Sequence, residues 1–145
     1  MPVDILIANT KFQHAWTVIL RYKVFSIEQG FDPKYDIDHR EDESIHYLLR
    51  ENEIPVATAR YRIVEDKAKI EAVVVLKEYR KKGYATKLLK KIHDDLKTSK
   101  LYHCYLNSVV EIEPLYLKLG YTREGEMFKT PAGAPHYKMI KTLID

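Results

Sequence analysis

A single cysteine, Cys104, leaves this chain without an internal disulfide, as is typical of proteins from reducing compartments. The amino-terminal residues lack the basic stretch and apolar run of a secretory signal, because Asp4 interrupts the first apolar residues. No apolar run comes near the roughly 20 residues that a helix needs to cross a bilayer. We therefore expect a cytoplasmic protein with no membrane partner.

The chain also lacks a large excess of charge of either sign, since 24 Lys and Arg residues against 21 Asp and Glu residues give a net charge of +3. Much of the excess is local, in Arg80, Lys81, Lys82, Lys87, Lys90 and Lys91. A nucleic-acid-binding domain would need a broader basic face interleaved with aromatic side chains, so we expect no nucleic-acid partner. A local anion site explains the charge better. The 145 residues are the length of one domain, 1–145.

The first half of the chain has the periodicities of a strand, a helix and a hairpin. Residues 3–8 alternate as a strand does, and Thr10 and Gln13 form a capping-box pattern before a helical period that extends to Ile27, with Gly30 as its stop. The acidic segment 31–43 reads as a polar loop. Residues 44–51 and 54–64 then predict an antiparallel hairpin.

The stretch from Ile70 to Leu96 is the one around which the rest is organised. The apolar run from Ala72 to Leu76 predicts a strand buried on both faces. A basic loop with Gly83 follows, and then an amphipathic helix. The apolar face of that helix contains Ala85, Leu88, Leu89, Ile92 and Leu96.

The last third predicts a strand over 101–106, a helix over 111–119 that Gly120 ends, and strands over 121–130 and 136–142. The full order is β-α-β-β-β-α-β-α-β-β. It predicts a mixed α/β domain with an antiparallel front half and a crossover through the helix after Gly83.

The sequence between strand and helix, Arg80 to Ala85, has the form R-x-x-G-x-A. It is neither a Walker A loop nor a G-x-G-x-x-G motif. The loop alone suits an ordinary turn with solvated lysines about as well as a binding site. A buried strand before it and a helix after it favour the binding site, because the first turn of a helix leaves amides unpaired at the positive end of its dipole. We predict a phosphorylated ligand at residues 80–86.

Three separated motifs resemble one family. VVVLKEYRKKGYATKLLKKI, then YLNS, then PLYLKLGYTREGE are similar to the GCN5-related N-acetyltransferase (GNAT) superfamily. VFSIEQ, the acidic segment, the hairpin near His46, Asn107 and Pro135-His136 resemble its ElaA/YjcF-like branch. Lys81 departs from the family, whose members often have glycine there, and Ala85 is an accepted variant of the last glycine.

The resemblance implies the GNAT acyl-CoA N-acyltransferase fold, with a mixed, mostly antiparallel central sheet. It implies direct transfer of acetyl from acetyl-CoA to a primary amine of a small molecule or peptide, without a metal. The alternative is a non-catalytic coenzyme A-binding or regulatory module. The expected partners are acetyl-CoA and an amine acceptor, and a homodimer is left open.

The resemblance also implies which residues bind coenzyme A: Val73, Val74, Val75, Arg80, Lys81, Lys82, Gly83, Tyr84, Ala85, Thr86 and Asn107. By the same resemblance, Tyr116 is the general acid that protonates the coenzyme A thiolate. Spacing alone favours a packed aromatic on an amphipathic helix for Tyr116. Asn107 also suits a helix N-cap, and both roles are compatible.

A base for the amine proton is the least determined role. Strand alternation places Glu71 on the face of Val73 and Val75, where a carboxylate would accept the proton through a water. A strand-end salt bridge explains Glu71 at least as well. His46 and His136 are alternatives, and we place His136 in the acceptor pocket. Glu28, beside the acidic segment, is a further acceptor-pocket residue.

Overall fold

Eight strands form one sheet in the computed structural model, which describes residues 2–144. The strands are β1 Val3–Ile7, β2 Ile45–Glu51, β3 Ile54–Val64, β4 Lys67–Val75, β5 His103–Val109, β6 Thr122–Arg123, β7 Phe128–Lys129 and β8 Pro135–Thr142. The α-helices are α1 Lys11–Arg21, α2 Arg40–Glu43, α3 Tyr84–Thr98 and α4 Glu113–Lys118. A π-helix covers Tyr22–Glu28, and 3₁₀ turns cover Pro33–Tyr35, Lys77–Tyr79 and Val110–Ile112.

The strand order in the sheet is β1-β2-β3-β4-β5-β8-β6, and β7 also pairs with β8. All pairs are antiparallel except β4 with β5, which are parallel and are joined through α3. Two parallel strands need such a crossover, because the chain must return to the starting edge of the sheet before the second strand begins. This mixed, mostly antiparallel sheet confirms the predicted fold class. Within residues 2–144, no helix is both long and apolar enough to span a bilayer.

The first helix begins where the capping box predicts. The Gln13 amide donates to the Thr10 hydroxyl at 3.1 Å, and the Thr10 amide donates to the Gln13 side chain at 3.2 Å. After Arg21 the backbone changes to the wider π-helix, whose extra residue per turn rotates the following side chains. The predicted helical period does not mark one buried face, because Ile27 is 68% exposed and Phe12, in the first turn of α1, is 74% exposed.

Helices cover the sheet on both faces. On one face, α3 buries four side chains completely, and their packing against Ile70 and Leu106 confirms the predicted helix face. These side chains are Leu88, Leu89, Ile92 and Leu96. The burial of each of these side chains contributes roughly 1.5–3 kcal/mol to the free energy of folding. On the other face, Leu20 of α1 and Val24 of the π-helix pack against Val74.

Two acids of the segment 31–43, Asp36 and Glu41, are paired with buried cations, whereas most of the segment is exposed. Arg21, which is 1% exposed, donates to Asp36 at 2.9 Å and to Glu41 at 2.6 Å. Arg60 donates to the same oxygen of Glu41 at 2.5 Å. The prediction of a solvated loop is wrong for these two acids, because two guanidinium groups neutralise them.

The predicted strand over 121–130 is split in the structure. Only Thr122–Arg123 and Phe128–Lys129 pair with β8, and Gly125, with φ of 87°, turns the chain between them. A glycine in that left-handed region interrupts a strand without strain. The predicted final strand is confirmed as β8.

Candidate active site

The main cavity opens where two neighbouring strands separate. β4 and β5 pair only from Ala68 to Ile70 and from Cys104 to Leu106. Beyond these residues both strands continue without pairing to each other, and a cavity of about 520 Å³ lies between them. Backbone groups of β4 on this side therefore have no partner on β5, and apart from the Val75 carbonyl, which accepts from Arg80 Nε at 2.9 Å, they are available to a ligand.

A β-bulge at Ala72 reshapes the β4 wall of this cavity. Ala72 has φ of 54°, and the pairing with β3 shifts register across it. The alternation of side chains reverses there, since a bulge adds one unpaired residue. Val73 and Val75 consequently pack on the α3 face, whereas Val74 joins the α1 face. The expected strand buried on both faces is only partly correct, since Val73 and Val75 are half-buried.

Glu71 lies on the opposite face from Val73 and Val75, so the predicted shared face is wrong. Its carboxylate receives Arg62 Nε at 2.9 Å, Lys69 Nζ at 3.3 Å and Arg60 Nη2 at 3.4 Å. Burial alone would raise the pKa of Glu71, but these cations outweigh it and hold the pKa below its usual range. Glu71 lines the cavity as a paired carboxylate.

The loop between β4 and α3 has the predicted anion-binding geometry. Gly83 adopts φ of 78° and precedes the first turn of α3, where the first helical bond runs from the Lys87 amide to the Gly83 carbonyl. The amides of Tyr84, Ala85 and Thr86 come before that bond, and all three residues line the cavity. Unpaired amides at the positive end of a 15-residue helix attract phosphate oxygens.

Lys81 also adopts a left-handed conformation, with φ of 65°. This explains why glycine is common at the equivalent place in the family that the sequence resembles, since glycine takes such angles without strain. Lys82 differs from its neighbours. It does not line the cavity but donates to Glu51 at 2.9 Å, and the Tyr84 hydroxyl donates to the same carboxylate.

Arg80 lines the cavity and is held at both ends of its guanidinium group. Its Nε donates to the Val75 carbonyl at 2.9 Å, and its two terminal nitrogens donate to the two oxygens of Glu28 at 2.6 Å each. Glu28 itself lies outside the cavity, so the structure does not place it in the acceptor pocket directly.

Tyr116 lies on α4 at the cavity wall, with 6% of its surface exposed. Its ring packs edge-to-face on Tyr121 at 5.7 Å between ring centres. Among residues 2–144, the Tyr116 hydroxyl has no hydrogen-bond partner. Burial raises the pKa of Tyr116 to about 12, so the hydroxyl keeps its proton at neutral pH.

Asn107 and His136 also line the cavity. Asn107 lies inside β5, opposite Lys138, so the N-cap interpretation is wrong because the strand continues to Val109 before the next helical turn begins. Nδ1 of His136 lies 2.9 Å from the Ala134 carbonyl. A carbonyl only accepts, so Nδ1 carries the proton and the neutral ring presents Nε2 as an acceptor.

His46 lies outside the cavity, 5% exposed, in the cluster around Glu41. One ring nitrogen each of His14 and His46 and one Glu41 oxygen lie within 4.8 Å of one another, a separation that a metal ion can bridge. The other Glu41 oxygen already binds Arg21 and Arg60. A divalent ion would face these two fixed positive charges, so we assign the cluster a structural role.

Phe25 of the π-helix and Gln29 directly after it line the cavity and were not predicted as site residues. An α-helical period does not group them with the residues that face the sheet. The signal for them was the VFSIEQ motif, which contains both residues and was noted above only as a resemblance to a family branch. Tyr79, before the loop, is a third cavity residue that the pattern did not single out.

Comparison with protein families gives one consistent result. The model described as "Acetyltransferase (GNAT) family" matches residues 11–121. Among curated proteins, the chain is 30% identical over 136 residues to "Uncharacterized N-acetyltransferase YjcF" of Bacillus subtilis, covering 94% of this chain and 97% of that protein.

Solved structures share the fold at lower identity. A putative N-acetyltransferase from Lactobacillus plantarum has a TM-score of 0.91 at 21% identity, with 99% of this chain and 100% of that chain covered. Escherichia coli ElaA has a TM-score of 0.82 at 23% identity, over 97% and 98%. An aminoglycoside 6'-N-acetyltransferase complexed with coenzyme A has a TM-score of 0.76 at 16% identity, over 100% and 98%. These likenesses confirm the predicted fold.

Proposed function

We propose, from the premise that this chain belongs to the acetyltransferase (GNAT) family, that it transfers acetyl from acetyl-CoA directly to a primary amine. Family membership makes the chain an acyltransferase with acetyl-CoA as its co-substrate. The acceptor in the proposal is a small molecule or a peptide, and one N-acetyltransferase domain spans residues 1–145. One observation carries the proposal: a single cavity contains the unpaired β4 edge, the amides before α3 and the Tyr116 side chain.

The donor half of the site holds acetyl-CoA through backbone groups. In the proposed complex, the pyrophosphate lies at the amides of residues 84–86, and Lys81 adds positive charge at the cavity wall. The pantetheine arm runs along the unpaired edge of Val73 to Val75 and meets Asn107 on β5. A neighbour of related fold has been solved with coenzyme A, which supports coenzyme A as the ligand.

The chemistry needs one bond to form and one to break. The neutral amine attacks the thioester carbonyl, the C–S bond breaks, and the electron pair leaves on sulfur as a thiolate. A backbone amide of the unpaired β4 edge polarises the carbonyl oxygen. The Tyr116 hydroxyl, whose raised pKa keeps it protonated at neutral pH, donates its proton to the departing sulfur, and a proton from solvent then restores the hydroxyl.

The acceptor amine must lose a proton, and two cavity residues are candidates for receiving it. Glu71 is ionised but its three cationic partners make it a weak base. His136 lines the cavity and binds the Ala134 carbonyl through Nδ1, which leaves Nε2 as the ring nitrogen that can receive a proton. We keep both, with water as the relay from Glu71. His46 is no longer a candidate, because it lies outside the cavity.

The variant Glu71→Gln tests whether Glu71 is the base. We expect kcat to fall less than tenfold, because a carboxylate already held by three cations has little basicity to lose. General-base removal typically costs 10²–10⁴-fold. The measurement is steady-state thiol release, with His136→Gln assayed in parallel. A loss of a hundredfold or more in Glu71→Gln alone would identify Glu71 as the base.

The competing function is a coenzyme A-binding module that does not turn over. A cavity with a correctly formed loop would serve it equally well, so binding and turnover must be measured separately. Tyr116 lines the cavity, and its hydroxyl keeps its proton at neutral pH. Turnover needs such a proton donor and binding alone does not, which favours the enzyme.

Acetyl-CoA is expected to raise the melting temperature of the chain by several degrees at a concentration a hundred times its Kd. A ligand that binds only the folded state stabilises it by about 2.7 kcal/mol under that condition. Differential scanning fluorimetry measures the shift, with adenosine as a control that lacks the pyrophosphate. Free-thiol release over amino sugars, polyamines, amino acids and peptides then identifies the acceptor. An unchanged melting temperature would refute the proposed function.

A further inference from the structure

We infer that Glu28 is a positioning residue of the acetyl-CoA site, which fixes Arg80 and, through Arg80, the phosphate loop of residues 80–83. The inference rests on the proposed function. It replaces the expectation that Glu28 belongs to the acceptor pocket, because both of its carboxylate oxygens are already bound by Arg80.

The contact between Glu28 and Arg80 joins parts of the chain that are 52 residues apart. Two parallel N–H···O bonds of 2.6 Å fix both the distance and the plane of the guanidinium group. The remaining Nε donates to the Val75 carbonyl at 2.9 Å. Arg80 therefore ties the end of β4 to the π-helix just where the loop begins.

The loop needs such a tie because its backbone is strained. Lys81, directly after Arg80, adopts φ of 65°, a conformation that a side-chain-bearing residue keeps only when its surroundings impose it. Gly83 follows with φ of 78° and orients the amides of the first turn of α3. A fixed Arg80 restrains the loop on the side opposite to α3, so the amides are aimed before the ligand arrives.

The contact between Glu28 and Arg80 also connects the π-helix wall of the cavity with the phosphate loop. Glu28 ends the π-helix whose Phe25 forms part of the cavity wall, and Gln29 follows it directly. π-helical turns are often found at functional sites, where they re-aim side chains. The Glu28–Arg80 pair thus fixes the position of this wall relative to the phosphate loop.

Stability alone does not account for the pair. The Glu28 side chain is 31% exposed and that of Arg80 38%, and ion pairs with such exposure contribute little to folding. A second bidentate pair, Asp4 with Arg50, lies on β1 and β2, away from the cavity. Asp4 is more exposed, at 53%, so Asp4→Asn is a matched control for losing one such pair.

The test compares coenzyme A affinity by isothermal titration calorimetry in the unmodified chain, Glu28→Gln, and Asp4→Asn. We expect Kd to rise about tenfold in Glu28→Gln, the scale of one charge-assisted hydrogen bond, and to stay within twofold in Asp4→Asn. Melting temperatures should stay within about 2 °C of one another. Binding of pantetheine, which lacks the pyrophosphate, should be weakened less by Glu28→Gln than binding of coenzyme A, because the loop that Arg80 restrains aims the amides proposed to receive the phosphates.

Arg80→Gln and the double variant complete the cycle. If Glu28 acts through Arg80, the double variant binds coenzyme A no more weakly than Arg80→Gln does. Equal affinity of Glu28→Gln and the unmodified chain overturns the inference and leaves the proposed function standing. Equal losses for coenzyme A and pantetheine also overturn it, because they would indicate general damage. Absence of coenzyme A binding by the unmodified chain removes the proposed function and this inference together.

Discussion

Tyr116→Phe is expected to lower kcat for acetyl transfer by 10²–10⁴-fold, the usual effect of removing a general acid. The substitution removes one oxygen and keeps the ring that packs on Tyr121. Because the hydroxyl has no partner in residues 2–144, its removal leaves no polar group stranded. The free energy of unfolding should change by less than about 0.5 kcal/mol, and coenzyme A affinity should hardly change.

Tyr121→Phe provides the control for that variant. The Tyr121 hydroxyl lies 2.6 Å from Nε2 of His93 in the core, so its loss strands a buried polar group and costs about 1–3 kcal/mol of stability. The folded fraction should nevertheless retain its kcat. Normal turnover by Tyr116→Phe would remove Tyr116 from the mechanism. Coenzyme A binding without turnover by the unmodified chain would favour the binding module.

The pH dependence follows from the Tyr116 environment. Burial raises the pKa of Tyr116 to about 12, and a general acid works only in its protonated form, which is present below its pKa. Ionisation of Tyr116 therefore gives no decline in kcat between pH 7 and about 10. A decline in that interval that disappears in Tyr116→Phe would contradict the raised pKa.

Glu41→Gln is expected to lower the free energy of unfolding by about 1–3 kcal/mol, the scale of charged hydrogen bonds lost at a buried site. Arg21 and Arg60 are 1% and 5% exposed, and both lose the Glu41 carboxylate. Arg21 keeps its contact with Asp36, and Arg60 keeps its contact with Glu71. Urea denaturation followed by circular dichroism measures the change. Glu43→Gln is the matched control on the same short helix, since its side chain is 56% exposed and only 4.0 Å from Arg62, and should stay within about 0.5 kcal/mol.

The effect of Glu41 depends on pH in a defined direction. Burial alone would raise the pKa of Glu41, but Arg21, His14 and Arg60 outweigh it and hold the pKa below its usual range. A carboxyl with a depressed folded-state pKa stabilises the fold above its unfolded pKa and loses that contribution as the pH falls through the folded value. The difference between Glu41→Gln and the unmodified chain should therefore shrink under acid conditions. Equal stability of Glu41→Gln and Glu43→Gln at neutral pH would show that the buried network has no net effect.

The phosphate loop and α3 were predictable because local chemistry determines them. Gly83 supplies a left-handed angle that few other residues adopt, and the spacing of Leu88, Leu89, Ile92 and Leu96 allows only one helix face to be buried. The cofactor followed from these residues together with the resemblance that includes Tyr116. The family itself is confirmed, whereas the individual site residues stay predictions.

The β4 bulge and the buried acids were not predictable in the same way. Ala72 sits in an unbroken apolar run without glycine, so nothing in Glu71 to Val75 indicates a reversal of alternation. In the acidic segment, Glu41 reads like its exposed neighbour Glu43, and only the arrival of Arg21 and Arg60 from other elements distinguishes them. Both features depend on tertiary contacts between residues far apart in the chain.

The separation of β4 from β5 has a consequence for the protein without its ligand. A strand edge that is open in the middle of a sheet is a template for any extended backbone, as the outer edge of a sheet is. Here Phe25 of the π-helix and Tyr116 of α4 line the cavity beside the open edge. Bound coenzyme A would then protect from hydrogen exchange the amides of the β4 segment that face β5, and its release would expose them again.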